Sequence, residues 1–580
     1  MLYAVFMYVE VIPNRKSPPA TLLRESTRRG SIVHKRTLAN ISHWPRPKIE
    51  ALRRLLRDEP VGWVGSPECL TVASSLPHGH VAAVLGTLRK LGLDQMISAK
   101  RCRQRDIILA LIAARILFPT SKLGSTRHWQ RCTLGSELNV LDVELDELYG
   151  ALDWLLHRQN RIEEKLAARH LTEGGSVLYD LSSSYYCGEH CDLARFGHSR
   201  DGKKGWPIIV YGLLTNRQGC PVAVQVYAGH TADPKTLMDQ VEKVRHRFNL
   251  HRVVMVGDRG CLTGTNIDKM KRYPGVGWIG ALRGEGIGKL VREGILNRSL
   301  FDHQHLAEIQ SPDYPGERLI ACWNPFLADK RARTRESLLV ATEKKLEPLQ
   351  QQALRARDRG RPWTDAQVGL RVGRWLDKHK MAKHFMITVK DANFTYVRHT
   401  ESIEEEAKLD GLYCIRTSEA QDAWPAPEVV RGYKDLGNVE KAFRCLKQVD
   451  LKVRPIYLRK TDHVRAHIFL CVLAYYVEWH MRQKLSELLY VDEELPANRS
   501  TRDPVLPARP SDSAKEKKYI HRNGQGLPVQ SFRSLLEELA TQCRNVCRMV
   551  GDDDRGPTAT MLTMPTALQR RAFKLLGCTQ

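Results

Sequence analysis

Helical and strand-like periods of apolar residues follow one another along this chain and divide it. The opening MLYAVFMYVEVIPNR has an apolar run with Glu10 inside it and reads as a strand. A basic stretch follows (Arg24, Arg28, Arg29, Lys35, Arg36), and helical spacing takes over later. RQRDIILALIAARILFP, Arg103 to Pro119, is a helix closed by its proline; TSKLGSTRHWQR then mixes small, basic and aromatic residues. Helix, break and basic helix fit a helix-turn-helix reader of DNA ends, and equally a plain helical bundle.

The character changes at Gly175. VLYD (Val177 to Asp180), WPIIVYGLLT and CPVAVQVYAG read as successive strands, the last two joined by the turn-like NRQG. Asp233 before Pro234 marks an N-cap and the start of a helix. RVVMVGDRG is a β-branched strand ending in Asp258, followed by a helix over Asn266 to Arg272 and the strand VGWIGAL. The order is three strands, helix, strand, helix, strand. Residues 284–383 break that alternation with a long charged helical pattern from Leu327 to Arg359 and the basic RARDRGRPW, and read as an insertion. HFMITVKD and GLYCIRTS resume the alternation, then come the helix YKDLGNVEKAFRCLK, the extended VRPIYLRK and the apolar helix HVRAHIFLCVLAYYVEWHM. Leu495 to Lys518 is rich in proline and charge and reads as an exposed linker, with a last helix over Ser531 to Val550.

Composition narrows the partners. A chain of 580 residues suggests three or four domains, and a formal charge of +25 favours a polyanion, most commonly nucleic acid. The N-terminus lacks a signal-peptide pattern, and the longest apolar run, Ile468 to Val477, falls short of a membrane span of about 20 residues. Fourteen scattered cysteines fit a reducing cytoplasm. CGEHC (Cys187 to Cys191) and the pair Cys543 and Cys547 lack a second ligand pair at zinc-finger distance.

Three carboxylates draw the chemistry together. At about 100° per residue, Tyr433, Leu436, Arg444 and Lys447 share a face with Glu440, while Val439, Ala442, Phe443 and Leu446 form the packing stripe. Glu440 alone is explained by an ion pair with Arg444. Asp180 and Asp258, however, each end an apolar run, where a strand leaves the core and a site opens.

With these segments the chain resembles the DDE transposases of bacterial insertion sequences. Within them it is similar to the branch with a tyrosine, arginine, glutamate, lysine signature around the third acid and an insertion before it. Here the signature reads Tyr433, Leu436, Glu440, Lys447, with leucine in place of arginine. The resemblance implies an α/β, ribonuclease-H-like mixed sheet flanked by helices, interrupted by an insertion domain, with a mostly helical N-terminal region and a helical C-terminal tail. The corresponding boundaries are 1–170 for a DNA-end-binding region, 171–283 and 384–485 for the two parts of the catalytic core, 284–383 for the insertion, and 486–580 for a linker and C-terminal helices.

It further implies a homodimer that binds terminal inverted repeats, cleaves the double-stranded DNA with two Mg²⁺ ions (Mn²⁺ substituting) held by Asp180, Asp258 and Glu440, and joins the ends to target DNA. Two such ions activate the nucleophile and stabilise the leaving oxygen, and hard cations take carboxylate oxygens. Tyr433, Lys447, Arg444, Arg259, Lys203 and Lys204 are the candidate phosphate contacts. The branch also implies a hairpin intermediate, for which Trp278 and Trp323 are candidate base-stacking rings, though tryptophan is more often core. Another nuclease or resolvase of the same fold, and an inactive transposase-derived DNA-binding regulator, stay open as alternatives.

Overall fold

The computed structural model describes residues 5–14, 18–29, 32–57, 70–549 and 558–579. They fall into two compact units, Met1–Ser75 with Asn545–Met561, and Leu76–Arg544 with Leu562–Gln580. In the first unit, Val5–Ile12, Ala20–Arg29 and Ile32–Asn40 form an antiparallel sheet followed by the helix Arg46–Leu55. Of the opening strand read from the sequence, residues 1–4 and 15 lie outside the described residues. Glu10, the acid in its apolar run, pairs across the sheet with Arg24 at 2.6 Å.

The second unit is built on an eight-stranded sheet. Its strands are β1 (Ser176–Tyr185), β2 (Ile208–Asn216), β3 (Pro221–Ala228), β4 (Val253–Gly257), β5 (Val276–Ala281), β6 (Leu306–Ile309), β7 (Arg318–Trp323) and β8 (Leu412–Thr417), in spatial order β3-β2-β1-β4-β5-β8-β7-β6. β1, β2 and β3 are antiparallel neighbours, while β1, β4 and β5 run parallel. The first five strands thus have the ribonuclease-H-like order that the sequence predicts. β4 is buried at all five positions, which is why its run of β-branched residues shows no alternation.

The helices that position the site are α1 (Arg103–Leu117), α2 (Leu145–Leu156), α3 (Pro234–Glu242), α4 (Pro325–Asp358), α5 (Asp365–His379), α6 (Ala426–Lys434), α7 (Leu436–Arg444) and α8 (Thr461–Lys484). The longest apolar run lies in α8, which packs between α1, α2 and β3 and is apolar nearly all round because it is buried nearly all round. Among the described residues no single helix is long and apolar enough to cross a membrane.

Several local expectations are corrected. The helix Lys122–Trp129 leaves α1 at 91°, but α1 is buried and the Lys122 ammonium turns inward to His467 Nδ1 at 3.1 Å, so this pair belongs to a helical bundle. HFMITVKD does not return to the central sheet. Phe385–Lys390 pairs only with Asn393–Arg398, and this hairpin packs with α4 and α5 around Leu346, Val372 and Phe394, in a core of its own. Its alternation fits one face on those helices and one in water. Conversely, β6 and β7, from within the span read as an insertion, extend the central sheet. Leu495 to Lys518 is no free linker: Val505 is fully buried, and Arg431 and Lys434 bond the carbonyls of Arg502 and Val505 at 2.7 Å. The helix read over Ser531 to Val550 stops at Ala540, Cys543–Met549 is a strand between Leu70–Pro77 and Thr558–Leu562, and a further helix, Ala567–Leu576, follows; Val550 lies outside the described residues.

Candidate active site

Asp180 is the fifth residue of β1, so the strand does not end there as the apolar run suggested. It continues through Leu181 and three serines that carry little strand signal. What ends is the neighbour: β4 pairs with β1 only as far as Tyr179 opposite Gly257. Asp180 and Asp258 are therefore the next residues on two adjacent parallel strands, at the carboxyl edge where open α/β sheets form sites. The turn after β4 fixes Asp258, whose Oδ1 accepts the N–H groups of Gly260 and Cys261 at 3.0 and 2.8 Å.

Glu440 comes from α7, whose Val439, Ala442 and Phe443 are buried against β1, with Phe443 edge-on to Tyr211 at 5.8 Å. Glu440 and Arg444 are exposed, whereas Leu436 and Lys447, expected on the same face, are buried, so Glu440 stands further out than the edge of the packed face where the periodicity put it. The single helix expected over Tyr433 to Lys447 is broken at Asp435, and Cys445–Val449 winds in wider turns. Tyr433 consequently sits on α6. Lys447 is carried inward, with its ammonium 2.7 Å from Asp201, 2.8 Å from Ser182 Oγ and 2.9 Å from Ser183 O.

The three acids lie within electrostatic reach of one another. Burial pushes the Asp180 carboxyl up to about 7, and the charges of Asp258 and Glu440 push the same way, against the Leu181 N–H and Arg200. Tyr433 is pushed up to about 12, first by burial and then by Asp258, Glu440 and Asp180, with Arg259 opposing. Its phenol is thus a neutral donor beside the carboxylates. Among the described residues no ion pair closes off Asp180, Asp258 or Glu440. The trio is also more open than a single-ion cage; ligand triples within 4.8 Å are His170, Cys220 and His480, and Cys445, Asp450 and Glu478. An all-oxygen, unpaired and mutually repelling set suits hard divalent cations.

Tyr433 and Arg259 line a cavity of about 360 Å³ with Arg331 and Tyr413, and Arg259 borders a second of about 470 Å³ with Arg283, Lys289, Arg292 and Arg416. Arg259 and Lys204 are exposed; Lys203 lies 3.8 Å over the Tyr185 ring. Trp278 is core, 4% exposed with its Nε1 on Glu317 at 3.2 Å, and Trp323 packs under Arg298 at 4.5 Å. Neither cysteine pair weighed for zinc belongs to a ligand cluster among the described residues. The sequence reading missed Arg200, Asp201, Asp233 and Arg454. Asp233 was expected to cap α3, yet its side chain makes no cap bond and instead pairs with Arg200. The alternating SRD beside SSS was the signal available.

Two acids thus follow paired residues of adjacent parallel strands, and a third comes from a later helix that packs on the same ribonuclease-H-like sheet. Residues 186–477, half of the chain, match the family model described as transposase DDE domain, and the chain belongs to that family. Asp258, Tyr433, Glu440 and Lys447 lie inside the matched span; Asp180 lies just before it. A solved piggyBac transposase synaptic complex with hairpin DNA is similar at 10% identity, over 76% of this chain and 86% of that one, with a TM-score of 0.32. No curated protein matches the chain.

Proposed function

We propose that this DDE transposase is the cut-and-paste enzyme of an insertion sequence. It acts in the cytoplasm as a homodimer that pairs two terminal inverted repeats, cleaves the DNA at them and joins the freed 3′-hydroxyls to target DNA. What supports this is that Asp180 and Asp258 follow paired residues of adjacent parallel strands and that the charges of Asp258 and Glu440 both act on Asp180. Those residues would hold two Mg²⁺ or Mn²⁺ ions. Such ions, when bound, supply an activated nucleophile and charge stabilisation at the leaving oxygen.

The chain's own groups do the rest. Asp180 gives up the proton that its surroundings favour, so that all three carboxylates are charged when the cations enter. Tyr433 offers a hydrogen bond from a phenol kept neutral by its neighbours. Arg259, exposed directly after Asp258, and Arg444, exposed one turn after Glu440 on α7, would carry charge toward the DNA backbone. Lys203 and Lys204 extend that surface.

Asp180→Asn, Asp258→Asn and Glu440→Gln should each slow strand cleavage of end-bearing DNA by roughly a thousandfold, a barrier change of about 4 kcal/mol, with end binding retained. Full cleavage by any one removes that residue from the site. Pre-cut ends should be joined to a second duplex; a protein that cuts branched DNA and joins nothing is a resolvase instead.

A further inference from the structure

We infer that Arg200 is the protein's cation at the reacting phosphate, held there by Asp233 and by the tether between Lys447 and Asp201. The inference rests on the cleavage chemistry proposed above.

Lys447 is the lysine of the family signature, but its ammonium is turned to the protein's own groups: it donates to Ser182 Oγ and Ser183 O and pairs with the Asp201 carboxylate at 2.7 Å. Its carboxylate partner, Asp201, has a side chain 1% exposed, and it also meets Arg454 at 2.7 Å and accepts the Tyr185 N–H at 3.1 Å. Two cations and a strand amide on one buried carboxylate pin the SRD turn to β1, a few residues beyond Asp180. Lys447 is thereby a positioning residue for the turn.

The residue this turn presents is Arg200. Its backbone N–H donates to Ser183 Oγ at 3.0 Å, and its guanidinium donates to the Asp233 carboxylate. Its charge acts on Asp180, and its backbone anchor, Ser183, lies three residues along β1 from that acid. Asp233 in turn reaches the second. A Cβ on Gly260 would lie 3.2 Å from Asp258 Oδ2 and 3.4 Å from Asp233 Oδ2, so both carboxylates face the gap that glycine keeps open. Arg200 is therefore tied to a carboxylate that borders the same gap as the second acid. A guanidinium has five N–H groups in a fixed fork, and one carboxylate leaves donors free for a phosphate oxygen.

The test uses the full chain, an end-bearing duplex and single-turnover cleavage across a Mn²⁺ titration. Arg200→Ala should lower the cleavage rate at saturating Mn²⁺ by about a hundredfold, the scale of losing one charge-stabilising donor. Half-saturating Mn²⁺, end affinity and thermal midpoint should hardly move. Asp233→Asn should show the same split with a smaller loss, and Asp233→Glu should recover it. Wild-type cleavage by Arg200→Ala overturns the inference and leaves the carboxylate reading standing. Recovery of either variant by excess Mn²⁺ also overturns it, because the pair then serves the metal and not the phosphate. Asp180→Asn, run alongside, reports on the carboxylate reading itself: full cleavage by that variant sinks both.

Discussion

This fold holds two clusters of acids, and they are built in opposite ways. Asp180, Asp258 and Glu440 gather at the carboxyl edge of β1 and β4 with no described ion pair. Asp450 and Glu478 are closed by Arg482, which meets each at 2.7 Å, and the Cys445 thiol donates to both, at 3.1 Å to Glu478 and 3.3 Å to Asp450. Burial raises Asp180 and Glu478 alike to about 7. The depth of an acid therefore does not separate a working site from a structural one. What separates them is whether the protein supplies the counter-charge itself or leaves the place for something that arrives.

That contrast is most severely tested at Arg482. Arg482→Ala strands two buried carboxylates and should destabilise the fold by about 3–5 kcal/mol in chemical denaturation. A loss below about 1 kcal/mol would mean that the closed cluster is not held by its cation.

A smaller effect separates the clusters by pH. Asp180 holds a proton in the folded, metal-free state that the unfolded chain has lost, between the ordinary carboxylate range and about 7. Its contribution is thus full at low pH and is lost as pH rises through about 7, while Mn²⁺, which needs the charged form, should bind about tenfold more tightly per unit up to that point. Glu478 gives the same downward stability slope. Saturating Mn²⁺ should flatten the part due to Asp180 and leave the part due to Glu478. Thermal melts of the wild type and Asp180→Asn, with and without Mn²⁺, would measure it.

The smallest expected change is at Glu440, which is exposed on α7. Glu440→Gln should alter stability by no more than about 0.5 kcal/mol. A large loss would make the third acid a structural residue like Glu478.

The sheet was legible because β1 and β4 are buried runs between turns, and Asp258 follows one of them directly. Glu440 was legible because the stripe of Val439, Ala442 and Phe443 fixes which way α7 faces. The register that aligns Asp180 with Asp258 was not, since pairing leaves no trace in either strand alone. Nor was the route of Lys447, which depends on a break at Asp435 and on a partner, Asp201, far away in the chain. The hairpin over Phe385–Lys390 has a half-buried pattern that fits any covering layer, and the long helices α4 and α5 supplied it.

The chain leaves the central sheet after β7 and comes back to it in β8, and these two strands are antiparallel neighbours, with Trp323 opposite Leu412. Everything between them, α4, α5 and the hairpin with their separate core, hangs from a single doorway one strand spacing wide. Such an arrangement sets that lobe apart: a tight turn from Trp323 to Leu412 would seal the sheet behind it, while the start of α4, which brings Arg331 to the cavity of Arg259 and Tyr433, is the part that must stay.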